Sequence, residues 1–124
     1  AVLAAGKIDF LDMSLWDSFK EPQDEAYQGR TLLSYFTELE RGDVALGIAG
    51  KLRNPEEVNR AMASGIDFVM LGRAAILHHD FPMQMQTNNN FTPVRNPVSA
   101  DYLRQEGLGE AFITYMSGWK GFVS

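Results

Sequence analysis

Two glycine–cation pairs are the residues of this sequence best suited to hold an anion. Lys51 follows Gly50, and Arg73 follows Gly72. Each pair comes directly after a short apolar run, and glycine has no Cβ to keep a phosphate oxygen away from the backbone. Backbone N–H groups with a helix N-terminus behind them and a cation beside them bind phosphate. The pairs therefore predict a phosphate site, unless both glycines only form turns and both cations are solvated.

The elements expected to position these pairs are two buried strands joined by a helix. Residues 44–49 and 66–71 are short, largely apolar runs, typical of strands in a parallel sheet. Between them, Asn54 is a good helix N-cap, Pro55 suits the first helical position, and Gly65 supplies a C-terminal stop. A strand–helix–strand unit of this kind places its strands side by side and parallel. Both glycine–cation pairs are therefore expected at the same edge of the sheet.

The segment 46–82 resembles the last part of the flavin-binding barrel of the Old Yellow Enzyme family, the NADH:flavin oxidoreductases. Two motifs carry the resemblance, and a third segment extends it. The turn after the family's strand seven is similar to Gly50-Lys51-Leu52, followed by Asn54-Pro55-Glu56-Glu57. The end of strand eight is similar to Asp67-Phe-Val-Met-Leu-Gly72-Arg73, followed by Asp80-Phe-Pro82. Strand six is similar to residues 8–14.

The resemblance implies a (β/α)8 barrel that holds FMN at the carboxyl ends of its strands. It implies that backbone amides of Gly50, Lys51, Gly72 and Arg73 bind the FMN phosphate. The Arg73 side chain is expected near both the phosphate and the flavin ring. Ser14, at the end of the segment similar to strand six, is expected to face the active site and to contact the cofactor.

The resemblance also implies a reaction. In the family, hydride passes from a reduced nicotinamide to FMN and then to an activated alkene. FMN is therefore the expected cofactor, NAD(P)H the expected reductant, and a small molecule the expected substrate. The family's catalytic His/Asn pair and Tyr belong to earlier strands, so no catalytic residue is expected within residues 1–124. Trp16, two positions after Ser14, is expected at the mouth of the site.

The number of strands determines the domain prediction. Only residues 8–14, 44–49 and 66–71 qualify, and a three-stranded parallel sheet leaves two bare edges. We therefore expect residues 1–124 to be the C-terminal part of one barrel domain, containing strands six to eight and their helices. Residues 1–6 would end the preceding helix. The rest of the barrel or a partner subunit would complete the fold, and the chain alone is expected to be inactive and to associate.

Two other functions are compatible with the same residues. A non-redox barrel, such as an isomerase or aldolase, uses a similar glycine pair to bind a sugar or triose phosphate. A non-catalytic chain could serve only in assembly. The arginine after Gly72 favours the flavin family, since the other barrels usually follow their final glycine with Ser or Thr.

Composition argues against several classes of partner. The net charge is −5 and no basic stripe is present, so nucleic acid is not an expected partner. No run approaches the roughly eighteen apolar residues of a membrane span, and a cytoplasmic location is expected. The absence of cysteine excludes disulfides and thiolate ligands. His78 and His79 are adjacent rather than three or four positions apart, so no metal site is expected.

The remaining segments are predicted from their local patterns. Residues 32–36 form an amphipathic stretch that should cover the sheet. Residues 84–97, with an Asn run and two prolines, are expected to be an extended surface connection. Ser99 should cap one helix, and a second is expected over residues 110–116. Three aromatic residues near the C-terminus are expected to pack against the barrel or a partner: Tyr115, Trp119 and Phe122.

Overall fold

A computed structural model describes residues 2–124 and shows a mixed α/β protein. These residues form two compact units. The first contains the chain up to Leu52 together with Glu56–Leu71, and the second contains Arg53–Pro55 and Gly72–Ser124. Ala1 lies outside the described residues. In the described part of the helix end predicted over residues 1–6, the structure shows a single 3-10 turn, Leu3–Ala5.

A three-stranded parallel sheet forms the centre of the first unit. Its strands are β1 (Phe10–Ser14), β2 (Ala45–Ala49) and β3 (Phe68–Met70), in the order β1-β2-β3. Both strand pairs are parallel, and the register places Phe10 beside Ala45 and Ala49 beside Met70. The predicted parallel arrangement is confirmed, with each strand one to three residues shorter than the apolar pattern indicated.

The two faces of this sheet differ in burial. Because paired residues of parallel strands point to the same side, Met13, Leu46 and Ile48 share one face, and all three are buried. On the opposite face, Gly47 is the only buried residue among the described residues of the three strands. We call this side the open face, and it consists of Phe10, Asp12, Ser14, Ala45, Gly47, Ala49, Phe68 and Met70.

Gly47 permits the close packing of an aromatic ring on the open face. A Cβ at Gly47 would lie 2.1 Å from the Phe68 ring, so that ring occupies the space above the glycine. The Phe68 ring also meets the Phe10 ring edge to face, with 5.7 Å between centroids. Phe10 nevertheless remains 57% exposed. The open face therefore presents apolar surface that the first unit does not bury.

Two α-helices accompany this sheet. Helix α1 (Leu32–Thr37) is capped by Thr31, whose side chain accepts a hydrogen bond from the Ser34 N–H, and it buries Leu33. Helix α2 (Pro55–Met62) begins at the predicted proline and buries Val58 and Ala61. A 3-10 turn, Glu25–Tyr27, precedes α1. Both predicted helices are confirmed.

An aspartate and an arginine tie the amino ends of β2 and β3 together. Asp67 Oδ2 accepts hydrogen bonds from the Leu46 N–H at 2.7 Å and from Arg41 at 2.9 Å. The same guanidinium donates to the carbonyls of Val44 and Gly65. The Leu46 N–H, followed by Arg41, lowers the pKa of Asp67. Asp67, part of the motif similar to strand eight, therefore has a structural role at the sheet edge opposite the predicted phosphate site.

The second unit is helical. Its helices are α3 (Arg73–Leu77), α4 (Phe81–Thr87), α5 (Ala100–Gln105) and α6 (Glu110–Ser117). The Ser99 side chain caps α5 by accepting from the Tyr102 N–H at 3.1 Å, as predicted. The core of this unit consists of Leu77, Val98, Leu103, Ile113, Met116 and Phe122.

One prediction for this half of the chain was wrong in part. The segment 84–97 is not wholly extended, because α4 continues to Thr87 and anchors its first turn with the buried Phe81. Of the three aromatic residues near the C-terminus, Phe122 is buried within this chain, while Tyr115 and Trp119 are exposed, so their packing against a partner stays a prediction. Among residues 2–124, every helix is too short or too polar to cross a membrane.

Candidate functional site

The carboxyl ends of the three strands lie at one edge of the first unit. Ser14 pairs with Ala49, and Ala49 pairs with Met70, so the strands end in step. Gly50 and Lys51 follow β2 directly at this edge. Ser14 is exposed on the open face. The structure therefore brings together three of the five predicted site residues, Ser14, Gly50 and Lys51.

Position 50 requires a glycine because its backbone packs closely against the loop after β1. Its φ is +149°, and a Cβ there would lie 2.1 Å from the Leu15 carbonyl oxygen. The Gly50 carbonyl accepts from the Ser18 hydroxyl at 2.6 Å and from the Ser18 N–H at 3.1 Å, and Ser18 is fully buried. We predicted this glycine as room for a phosphate oxygen, yet the atom that excludes a side chain belongs to Leu15.

Lys51 has a left-handed backbone and a carboxylate beside its amine. Its φ is +51°, which is uncommon for a residue other than glycine. Its Nζ lies 3.3 Å from Asp17 Oδ2, and the two side chains are 32% and 37% exposed. An ion pair this exposed contributes little free energy, so an anion could compete with Asp17 for the amine. The predicted cation is therefore present, but its amine is already paired with the carboxylate of Asp17.

The Lys51 N–H is directed away from the loop after β1. A trans peptide holds its C=O and N–H on opposite sides, and the C=O of Gly50 in this peptide points to Ser18. No residue between positions 2 and 124 accepts a hydrogen bond from the Lys51 N–H. This donor, together with the amine of the same residue, is the part of the turn best suited to an anion.

The other predicted pair, Gly72 and Arg73, belongs to the second unit. Gly72 has a φ of −92°, and among the described residues a Cβ there would meet nothing within 4 Å. Arg73 is the first residue of α3, and its side chain is exposed with no ion pair in the described part of the chain. Unlike Gly50, Gly72 therefore has open space beside it and is accessible to a ligand.

A polar cluster that we did not predict lies in the second unit. Ligand atoms of His78, Asp80 and Glu106 are all within 4.8 Å of one another. Tyr102 belongs to the same cluster, and its hydroxyl donates to the Leu77 carbonyl at 2.7 Å. Burial, followed by the charge of Glu106, raises the pKa of Tyr102 to about 12. The tyrosine is therefore a neutral hydrogen-bond donor here.

The hydrogen bonds of this cluster argue against a metal ion. The Val94 N–H donates to His78 Nε2 at 2.9 Å, so the neutral ring carries its proton on Nδ1 and has no lone pair left for a metal. His78 and Asp80 lie between α3 and α4 rather than on one helix face, so helix spacing does not decide whether they could share a metal. The contacts instead describe a hydrogen-bond network that joins these elements to α5.

Glu106 is the centre of that network. Its Oε2 accepts from the His79 N–H at 2.9 Å and contacts His79 Nδ1 at 2.8 Å. Burial raises the pKa of Glu106, but the two hydrogen bonds from His79 outweigh it, and the net shift is downward. The hydrogen bond that His79 donates to Glu106 raises the pKa of His79. The pair is therefore ionic under mildly acidic conditions.

Sequence reasoning missed the residues that support the Gly50 turn. Ser18 and the pairing of Asp17 with Lys51 depend on contacts between segments that are distant in the chain. The single local signal was a pair of polar residues in the loop after β1, Asp17 and Ser18.

No model of a protein family, no curated protein and no solved structure matches this chain. Its function must therefore be inferred from its own residues and their geometry.

Proposed function

We propose that this chain is part of an FMN-dependent oxidoreductase of the Old Yellow Enzyme type and that it binds the FMN phosphate. In this proposal its three strands are strands six to eight of a (β/α)8 barrel. The observation that carries the proposal is the Gly50–Lys51 turn. This turn has positive φ values and follows the central strand of a parallel sheet whose strands end in step.

The chemistry of this turn suits a phosphate. The Lys51 N–H points away from the buried Ser18, and among residues 2–124 the Lys51 amine pairs with the half-exposed carboxylate of Asp17. A phosphate oxygen would receive one backbone and one charged hydrogen bond from a single residue. Ser14, exposed on the open face, would contact the cofactor beyond the phosphate.

Two observations support a phosphate-binding role for Gly72 and Arg73: the sequence motif that contains them and their exposure. A glycine with free space beside it allows close approach of an anion to the backbone. An exposed arginine with no ion pair among residues 2–124 offers its guanidinium to phosphate without first losing a partner.

In the proposed enzyme FMN would carry hydride from NAD(P)H to an activated alkene or similar acceptor in the cytoplasm. The residues of this chain bind and orient the cofactor. The groups that polarise the substrate and deliver its proton would come from the family's earlier strands. The chain's own contribution is thus the position and affinity of FMN.

Titration of the purified protein with FMN, followed by the visible absorbance of the flavin, tests this proposal. We expect saturable binding. Lys51→Ala and Arg73→Ala should each weaken it about tenfold to a hundredfold, because each removes a charge-assisted hydrogen bond of roughly 1.5–3 kcal/mol. The matched controls Lys7→Ala and Arg95→Ala remove exposed cations elsewhere in each unit and should leave the affinity unchanged.

Competition by smaller phosphates separates the flavin enzyme from a non-redox barrel. If ribose 5-phosphate binds as tightly as FMN and both affinities fall in the Lys51 variant, the protein is a sugar-phosphate enzyme. If neither Lys51→Ala nor Arg73→Ala alters FMN affinity, the phosphate site proposed here is incorrect.

A further inference from the structure

Trp16 is the most exposed large apolar side chain of the described residues, at 76%. It lies in the loop that follows β1, at the carboxyl edge of the sheet. An indole has a large apolar surface, and leaving it in water forgoes the free energy that burial would provide. An exposed indole in a flexible loop would not indicate a binding site. What Trp16 indicates therefore depends on whether the backbone of this loop is held in place.

The loop is fastened to β2 and its turn on both sides of Trp16. On one side the Leu15 N–H donates to the Ala49 carbonyl at 2.8 Å. On the other side, both the N–H and the hydroxyl of Ser18 donate to the Gly50 carbonyl. The exposed side chain of Trp16 is therefore carried by a backbone segment that hydrogen bonds hold in place on both sides.

Trp16 is also close in the chain to the proposed phosphate contact. Asp17, the next residue, approaches the Lys51 amine at 3.3 Å. Leu15, the preceding residue, is in contact with Gly50 through its carbonyl. Both neighbours of Trp16 thus touch the Gly50–Lys51 turn, while its own side chain remains exposed.

We propose that Trp16 binds the planar ring of the ligand whose phosphate contacts the Gly50–Lys51 turn. This inference rests on the proposed function and deepens it, since it identifies the ligand as a phosphate ester with an aromatic ring. An indole ring stacks on flat heteroaromatic surfaces, and a preordered loop loses little entropy when it does so. Phosphate and ring would then be bound by adjacent segments of one rigid edge.

The chain offers a direct readout because it contains only two tryptophans, Trp16 and Trp119. Trp119→Phe leaves Trp16 as the sole indole, and Trp16→Phe leaves Trp119 as the matched control. We expect FMN and riboflavin to quench Trp16 fluorescence more strongly than Trp119 fluorescence. Inorganic phosphate, which has no ring, should leave Trp16 fluorescence unchanged.

Affinities of variants separate a ring contact from a phosphate contact. Trp16→Ala should weaken FMN and riboflavin binding by a similar factor, about tenfold, and Trp16→Phe should restore most of the loss. Lys51→Ala should weaken FMN binding and spare riboflavin. Because Trp16 is exposed, the urea midpoint of Trp16→Ala should equal that of the wild type.

Two results would overturn this inference. If FMN binds but Trp16→Ala binds it and riboflavin as tightly as the wild type, Trp16 is not a ring contact, and the proposed FMN phosphate site still stands. If the wild-type protein binds neither FMN nor riboflavin, the proposed function and the role of Trp16 are both incorrect.

Discussion

The two glycines of the predicted phosphate site have different physical roles. Gly50 has a φ of +149° and is in contact with the Leu15 carbonyl, whereas Gly72 has an ordinary negative φ and open space around it. The first is therefore needed for folding of the loops at the sheet edge. The second has no atom of the described chain within 4 Å of where a Cβ would lie, which is the condition a ligand-contacting glycine should meet.

Alanine at each position distinguishes these roles. Gly50→Ala places a Cβ against backbone and imposes an unfavourable φ, so it should lower the free energy of unfolding by about 1–3 kcal/mol. Gly72→Ala should change it by no more than about 0.5 kcal/mol. Urea denaturation of both variants measures the difference. Equal losses of stability would show that the packing around Gly50 is not what selects glycine.

At the scale of secondary-structure elements, sequence patterns predicted what local chemistry controls. The apolar runs predicted all three strands, Pro55 marked the start of α2, and Ser99 marked the start of α5. Helix α4 was missed because its polar Gln residues and the Asn run that follows it are typical of a loop, while Phe81, which is 1% exposed, anchors it through tertiary packing. Contacts between distant segments, such as Ser18 with Gly50, leave no local pattern to recognise.

The connection between α3 and α4 is fastened to α5 by the pair His79 and Glu106. The pKa of His79 is raised, so its stabilising contribution is complete below its unfolded value and is lost as the pH rises through the raised value. The pKa of Glu106 is lowered, so its contribution is complete above its unfolded value and is lost as the pH falls through the lowered value. The pair therefore stabilises the second unit most at pH values between the unfolded pKa of a glutamate and the unfolded pKa of a histidine.

Thermal unfolding of His79→Gln tests this coupling. Wild type should be more stable than the variant at about pH 5.5, and the difference in Tm should shrink as the pH rises through the raised pKa of the imidazole. Glu106→Gln should abolish the same pH dependence, because it removes the carboxylate that holds the histidine proton. A difference in Tm that grows with rising pH would contradict this assignment of charge.

At the scale of the whole molecule, the open face is the feature that most limits how the chain can exist. Parallel sheets are normally covered on both faces, because each face is lined with apolar side chains. Here the face with Met13, Leu46 and Ile48 is buried, and the face with Phe10 and Phe68 is not. Within the part of the chain that is described, β1 and β3 each also have one unpaired edge.

These surfaces predict that the 124-residue chain associates in solution and binds a hydrophobic dye. Phe10→Lys places a charge on the open face and at an edge strand, so it should reduce both association and dye fluorescence. Tyr27→Lys, which replaces an aromatic residue of similar exposure outside the open face, is the matched control and should change neither. Light scattering and dye titration measure the two effects. A clean monomer with a sharp melt and no dye binding would show that the open face is stable in water as it stands.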